Sequence, residues 1–501
     1  MWTVRRGFWD LLSVAKFKLN RRRPAPPPKR DRRRIVSIPL SKRYPDIPIK
    51  AIHVADHVPK DERSRVGLGV CKFQARLYRW YPPAKPDLPE IDADPSQAIA
   101  KAYTRLHRTC LKAPVLPREF AQPVDLGRIA VTGPYACYLQ ACDGGYEWDF
   151  MFINKYQHHE GLLPLGCRVY FRVDEATRKL SAVEIESELG ISRPGDTTWN
   201  EAQRVALCAA TNHLSIVRHF NWIHLVAVSN VATATRNMLP ADHAVRRLLW
   251  PHLWGTQYSN ELVTDVLLMK GGDFDAAFSF SHAGLCALLE DSCEQYDIRV
   301  MHPLADADRR GVSNGALDLP YLQNRQAHFD VFLRHTSRYL RLYYESDEQL
   351  RGDRHVQAWV KDLRRRIPGG LRDVVGDVVT LDDLARLTAG FIYVGSVEHE
   401  VLGTTLWNYQ LWHHVQPTRV YTSGRRESVD VYQRLVNYNF ILNVKRSALC
   451  GDFTKVALDT AGRDAFRQFL TDLEVLQDML DREVDECWKV SPAMLESGVN
   501  G

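Results

Sequence analysis

The run Asn212-His213-Leu214-Ser215-Ile216-Val217-Arg218-His219-Phe220-Asn221-Trp222-Ile223-His224 places three histidines within twelve residues of an apolar, helix-patterned segment. A buried imidazole needs a hydrogen-bond partner or a metal. Spacing then restricts what the helix can do. At about 100° per residue, His219 and His224 stand roughly 140° apart on a regular α-helix. They share a face only where the helix widens into a π turn. A histidine on an apolar helix is more often a hydrogen-bonded core residue than a ligand, so each of the three has a structural reading beside the metal one.

From Trp199 onward the pattern is mostly helical. Trp199–Asn237 shows little besides the 3.6-residue period, Gln326–Arg366 is a long run that breaks near Pro368, and Thr380–Trp412 and Ala465–Asp485 are further helices. Between Ile35 and about Pro194 the chain is mixed. The runs beginning at Arg128 and at Cys167 read as strands between Pro- and Gly-rich turns, and Asp94–Leu111 reads as a helix. The expected fold class is mainly α, with short β elements in the N-terminal third. No stretch of about 18 apolar residues occurs, so no membrane-spanning helix is expected.

The formal net charge of +6 hides an uneven distribution. Residues 1–34 hold twelve Lys and Arg against Asp10 and Asp31, so the remaining 467 residues carry an acidic excess. A nucleic-acid partner is therefore not expected of the body. Residues 1–34 read as a basic, partly amphipathic arm and linker that could lie on an anionic membrane. The domain reading is this arm followed by a body over 35–501, mixed over 35–195 and helical over 196–501. Ten cysteines without a Cys-x-x-Cys pair read as reduced thiols, and a cytoplasmic, peripherally membrane-associated protein is the expectation.

Two more segments carry chemistry. Val397-Glu398-His399-Glu400-Val401-Leu402-Gly403-Thr404-Thr405 sets one histidine between two carboxylates in an apolar helix. The chain end, with Trp488, Met494, Leu495 and Val499, is too apolar to leave in water and is expected to tuck inward.

With these stretches in order, the sequence resembles the lipoxygenase family. The likeness is carried by Trp199 and Ala202, by His219 and His224-Leu225-Val226, by Arg236, Leu239-Pro240, His243 and Leu248-Leu249-Trp250-Pro251-His252, by Tyr339 to Asp347 with Asp353 and Gln357-Ala358-Trp359, and by His399 with Pro417-Thr418-Arg419. It covers about Trp199 to Gly501. The N-terminal β-barrel lipid-binding domain of many eukaryotic members is not seen.

The resemblance implies a helical catalytic domain holding one non-haem iron, with manganese as an alternative metal. Its ligands would be three histidines, an Asn-like side chain and a C-terminal carboxylate. Counted without gaps from Trp199, the first histidine ligand falls on Leu214, beside His213. The second falls on His219, the second-shell histidine on His224, the third ligand on His399, the Asn-like ligand on Gly403 and the carboxylate on Gly501. That count leaves His219, His399 and Gly501. A one-residue adjustment would recruit His213, and a shift of register would instead pair His219 with His224.

The chemistry implied is dioxygenation of a polyunsaturated fatty acid or related lipid. A ferric hydroxide takes a hydrogen atom from a bis-allylic methylene, and dioxygen adds to the radical to give a hydroperoxide. The alternative is an altered or inactive member that binds lipid or a partner, isomerises hydroperoxides or oxidises another substrate.

Overall fold

The computed structural model describes residues 25–63, 114–121, 123–371, 374–376, 379–424, 448–482 and 489–499, together with positions 7, 8, 11, 73, 94 and 97. The helix expected over Asp94–Leu111, most of the basic arm and Gly501 lie outside the described residues.

Among the described residues the strands are confined to the N-terminal part. A two-stranded hairpin joins β1 (Ser37–Pro39) to β2 (His53–Ala55). An antiparallel sheet then runs β3 (Gln140–Cys142), β4 (Gly145–Asp149), β5 (Arg168–Asp174), β6 (Lys179–Ser187) and β7 (Gly190–Ser192), each strand beside its neighbour in sequence. The run at Cys167 is β5, whose alternating pattern buries Val169 and Phe171. The run at Arg128 is not a strand. Asp125 caps a short helix over Leu126–Ile129, its carboxylate accepting from the Arg128 amide at 2.9 Å. Gly127 brings that helix onto β6, where a Cβ would stand 1.9 Å from the Leu180 carbonyl oxygen.

The helical body follows. α1 (Trp199–His213) passes without a break into a π-helical segment, Leu214–Val228, and then into α2 (Ser229–Met238). α3 (Ala244–Leu253) and α4 (Thr256–Val263) come next, and α4 ends in a second π segment, Thr264–Leu268. α5 (His282–Cys293) packs on the first π segment. The expected run Gln326–Arg366 is α6 (Pro320–Leu340) and α7 (Arg354–Arg366), with a short helix Asp347–Gly352 between them. α8 (Leu381–Tyr393) starts at a reciprocal cap between Thr380 and Asp383 and runs through a third π segment, Val394–Glu398, into α9 (His399–Trp407). α10 (Thr460–Asp481) lies against α6.

One apolar core runs from the sheet through these helices. The α1–π–α2 rod is its axis, and Ala206, Leu214, Val217, Leu225 and Val231 on it are fully covered. Burying each of these Leu and Val side chains contributes about 1.5–3 kcal/mol relative to exposure.

Residues 25–34 are not a free linker. Asp31 accepts from Arg236 at 2.7 Å and from Arg246 at 3.0 Å, and the Pro26 carbonyl accepts from the Trp250 indole at 2.6 Å. Both guanidinium groups sit over the Trp250 ring. The charge pairing and the stacking strap this stretch across α2 and α3. Among the described residues no helix is long and apolar enough to cross a membrane. The seven described cysteines are all free.

Candidate metal centre

The first π segment decides the geometry. Its i→i+5 hydrogen bonding brings residues five apart onto one face, which the α-helix does not do. His219 and His224 therefore point the same way, with ring centroids 5.1 Å apart. His399 enters from α9, 4.8 Å from the His219 ring and 4.9 Å from the His224 ring. One nitrogen from each of the three rings lies within 4.8 Å of the others, and all three residues are buried.

The hydrogen bonds show which nitrogens face inward. His224 Nδ1 donates to Asn260 Oδ1 at 3.1 Å, and Asn260 Nδ2 donates back to the His224 carbonyl at 2.8 Å. That fixes the His224 tautomer and leaves its Nε2 as a bare acceptor, 3.1 Å from His399 Nε2. His219 Nε2 is buried without a hydrogen-bond partner. Burial, reinforced by His399, pushes the His224 imidazole down to about 3. Burial with His399 and His224 holds His219 well below the ordinary imidazole range. Both rings are neutral at pH 7, the form that binds metals.

The helices that carry the rings are locked together. Gln410 donates to Ser215 Oγ at 2.9 Å and to Thr211 Oγ1 at 3.1 Å, and Ser215 Oγ lies 3.4 Å from Thr405 Oγ1. Behind His399, Arg325 pairs with Glu398 at 2.5 Å, and Tyr393 donates to the same Glu398 oxygen at 2.9 Å. Glu398 is thus engaged away from the imidazoles. Glu400 Oε1 lies 3.6 Å from His399 Nδ1, within ion-pair reach but too long for a hydrogen bond.

His213 does not join the group. As the last residue of α1 it points to the sheet side, where its Nδ1 meets the Tyr138 hydroxyl at 2.8 Å among the Phe150, Phe152 and Trp222 rings. Burial, with the Arg218 charge, pushes its imidazole down to about 3. Leu214 is buried core. Of the alternatives in the sequence, the geometry matches the one that pairs His219 with His224.

Gly403 stands one helical turn beyond His399, on the same face. Residues 497–499 pack beside the third π segment. Val499 is fully buried, Ser497 O accepts from His252 Nδ1 at 2.6 Å, and Gly498 lies against the His252 backbone and next to Gly395. Sequence reasoning missed Asn260. It lies on α4, distant in sequence, and a lone Asn in a helix has no pattern that marks it.

Three converging imidazoles, one with an orphaned nitrogen and one held by an amide, form a donor set that fits a non-haem iron-type ion. The family model for lipoxygenase matches residues 176–439. A manganese lipoxygenase of Pleurotus sapidus is 24% identical over 243 residues, covering 47% of this chain and 37% of its own length. The mouse polyunsaturated fatty acid lipoxygenase ALOX12 is 32% identical over 143 residues, or 28% of this chain and 21% of its own. The chain thus spans well under half the length of these relatives. Among solved structures, a calcium-dependent 11R-lipoxygenase superposes with a TM-score of 0.73 at 15% identity, covering 97% of this chain and 80% of that one. Coral 8R-lipoxygenase gives 0.75 at 15% identity over 93% of this chain and 79% of its own.

Proposed function

The chain belongs to the lipoxygenase family, and from that premise we propose that it is a metal-dependent dioxygenase of a polyunsaturated fatty acid or related unsaturated lipid. The observation that carries the reading is the convergence of His219, His224 and His399 within 4.8 Å in a buried setting. These three would hold iron, or manganese as in the fungal relative's name.

Such a metal supplies one-electron chemistry able to remove a hydrogen atom from a doubly allylic carbon. The protein's own contribution is positional. Asn260 keeps the His224 proton on Nδ1, so Nε2 stays available. Ser215, Thr405 and Gln410 fix the π segment against α9, which sets the ring-to-ring distances. Apolar core residues around the rod, such as Phe220, Leu225, Val397 and Leu402, keep bulk water from the site. Residues 1–34 are proposed to bring the body to an anionic lipid surface.

The test is metal content followed by oxygen uptake. About one iron or manganese per chain is expected, lost in His219→Ala, His224→Ala and His399→Ala but retained in His213→Ala. Loaded protein should consume oxygen with linoleate and build up a conjugated-diene absorbance. Metal uptake without oxygen consumption across polyunsaturated fatty acids would sink the dioxygenase reading and favour an altered member of the family.

A further inference from the structure

Gly403 breaks the wall of the centre. Its neighbours Val401, Leu402, Thr404, Thr405 and Leu406 are all buried, whereas Gly403 is partly exposed. A Cβ built there would meet only the His219 ring, 3.6 Å from Nε2 and 3.8 Å from Cε1. Those are ordinary contacts, so the space belongs to the site and not to a neighbouring helix. His219 Nε2, the atom nearest that Cβ position, is buried and has no hydrogen-bond partner. Glycine is also the poorest helix former after proline. What the position offers is room beside the imidazoles.

Charge indicates what would fill it. The three converging side chains are imidazoles and bring no negative charge. Of the two adjacent carboxylates, Glu398 is paired with Arg325, and Glu400 lies beside His399 Nδ1, 3.6 Å away, the ring nitrogen opposite the one that meets His224. A divalent ion held by these rings would keep most of its charge and favour an anionic donor in the vacant direction.

We infer that the Gly403 face is an open coordination port that takes one small exogenous donor, water or a monoanion of the size of azide, where a side chain would otherwise stand. This rests on the metal-centre reading and adds a ligand position to it.

The experiment uses the full chain loaded with manganese(II) and follows water-proton relaxation during an azide titration. In the wild type, azide should displace coordinated water and lower the relaxivity per metal. Gly403→His and Gly403→Asn place a donor one turn from His399. They should lower the starting relaxivity and weaken azide binding by about tenfold, the scale on which neighbours of metal sites act. Gly403→Ala adds the Cβ that fits without a donor. It should fold at least as well as the wild type, and because it crowds the space without supplying a donor it should lower the relaxivity less than Gly403→His or Gly403→Asn. Stoichiometric manganese with azide-insensitive relaxivity, or equal azide affinity in the wild type and Gly403→His, would overturn the port and leave the three-histidine centre standing. Failure to take up manganese at all would overturn both.

Discussion

Asn260 holds His224 at both ends, its Oδ1 accepting the ring proton at 3.1 Å while its Nδ2 donates to the backbone carbonyl of the same residue at 2.8 Å. One side chain thus sets the tautomer, the ring orientation and the local backbone of a candidate ligand. The arrangement needs the π segment. Its winding turns His224 toward His219, and its wider hydrogen-bond ladder accommodates a carbonyl that also accepts from α4.

Asn260→Leu should therefore lower metal affinity by about 10–100-fold and cost about 1–3 kcal/mol through the buried groups left unpaired. Asn260→Asp keeps an acceptor for the ring and should retain more of the affinity. Competition with a chelator, alongside thermal melting, reads both effects. Unchanged affinity in Asn260→Leu would show that the ring needs no such partner.

How far the site was legible in the sequence follows from the same winding. The five-residue interval between His219 and His224 announces a π turn if both are ligands, and the structure contains it. A gapless count from Trp199 nevertheless lands on Leu214 and His219, one π turn short. Sequence carries no direct mark of where a helix changes its pitch, so His213 and Leu214 looked closer to the centre than they are. The helical body was readable because apolar period and caps agree, as at Thr380 and Asp383. The strap over 25–34 was hidden by composition. Among many arginines and prolines, Asp31 is the one acid, and its partners Arg236 and Arg246 lie some 200 positions away.

The chain end is tested by two glycines. At Gly498 a Cβ would stand 2.2 Å from the His252 carbonyl oxygen, so Gly498→Ala must displace the tail. Overpacking of this kind costs about 1–3 kcal/mol, and metal content should fall with it if the tail reaches the centre. At Gly395 the same atom would meet nothing nearer than 3.7 Å, so Gly395→Ala should be close to neutral. Urea unfolding of the two variants should separate them clearly. Equal stability would mean that the tail is not held there in solution.

Glu398 anchors the turn that precedes His399. Glu398→Ala leaves Arg325 buried without its counter-charge, and breaking such a pair costs about 3–5 kcal/mol. Replacing both, as Arg325→Met with Glu398→Leu, removes the charges together and should recover most of that loss. A double-mutant cycle in urea measures the difference. Additive losses would show that the two charges do not depend on each other.

Acid sensitivity follows from imidazoles buried in neutral form. Burial, with the Arg218 charge, pushes His213 down to about 3. Burial also takes His252 and His328 down to about 4, against the opposing pull of their bonds to Ser497 O and Asn324 O. His302 falls to about 4 through burial and the Arg386 charge. In the unfolded chain these groups titrate near 6.5, so below that pH the unfolded state binds more protons than the folded one. Their contribution is whole above about pH 6.5 and drains as pH falls toward the folded values. Each group can contribute up to about 1.4 kcal/mol per pH unit across that window. The urea midpoint of the metal-free protein should therefore hold steady above neutrality and drop progressively between about pH 6.5 and 4. His328→Gln keeps a donor toward Asn324 but cannot take up the proton, so its curve should fall less steeply. A midpoint flat across that window would mean that the histidines are hydrated in the folded protein.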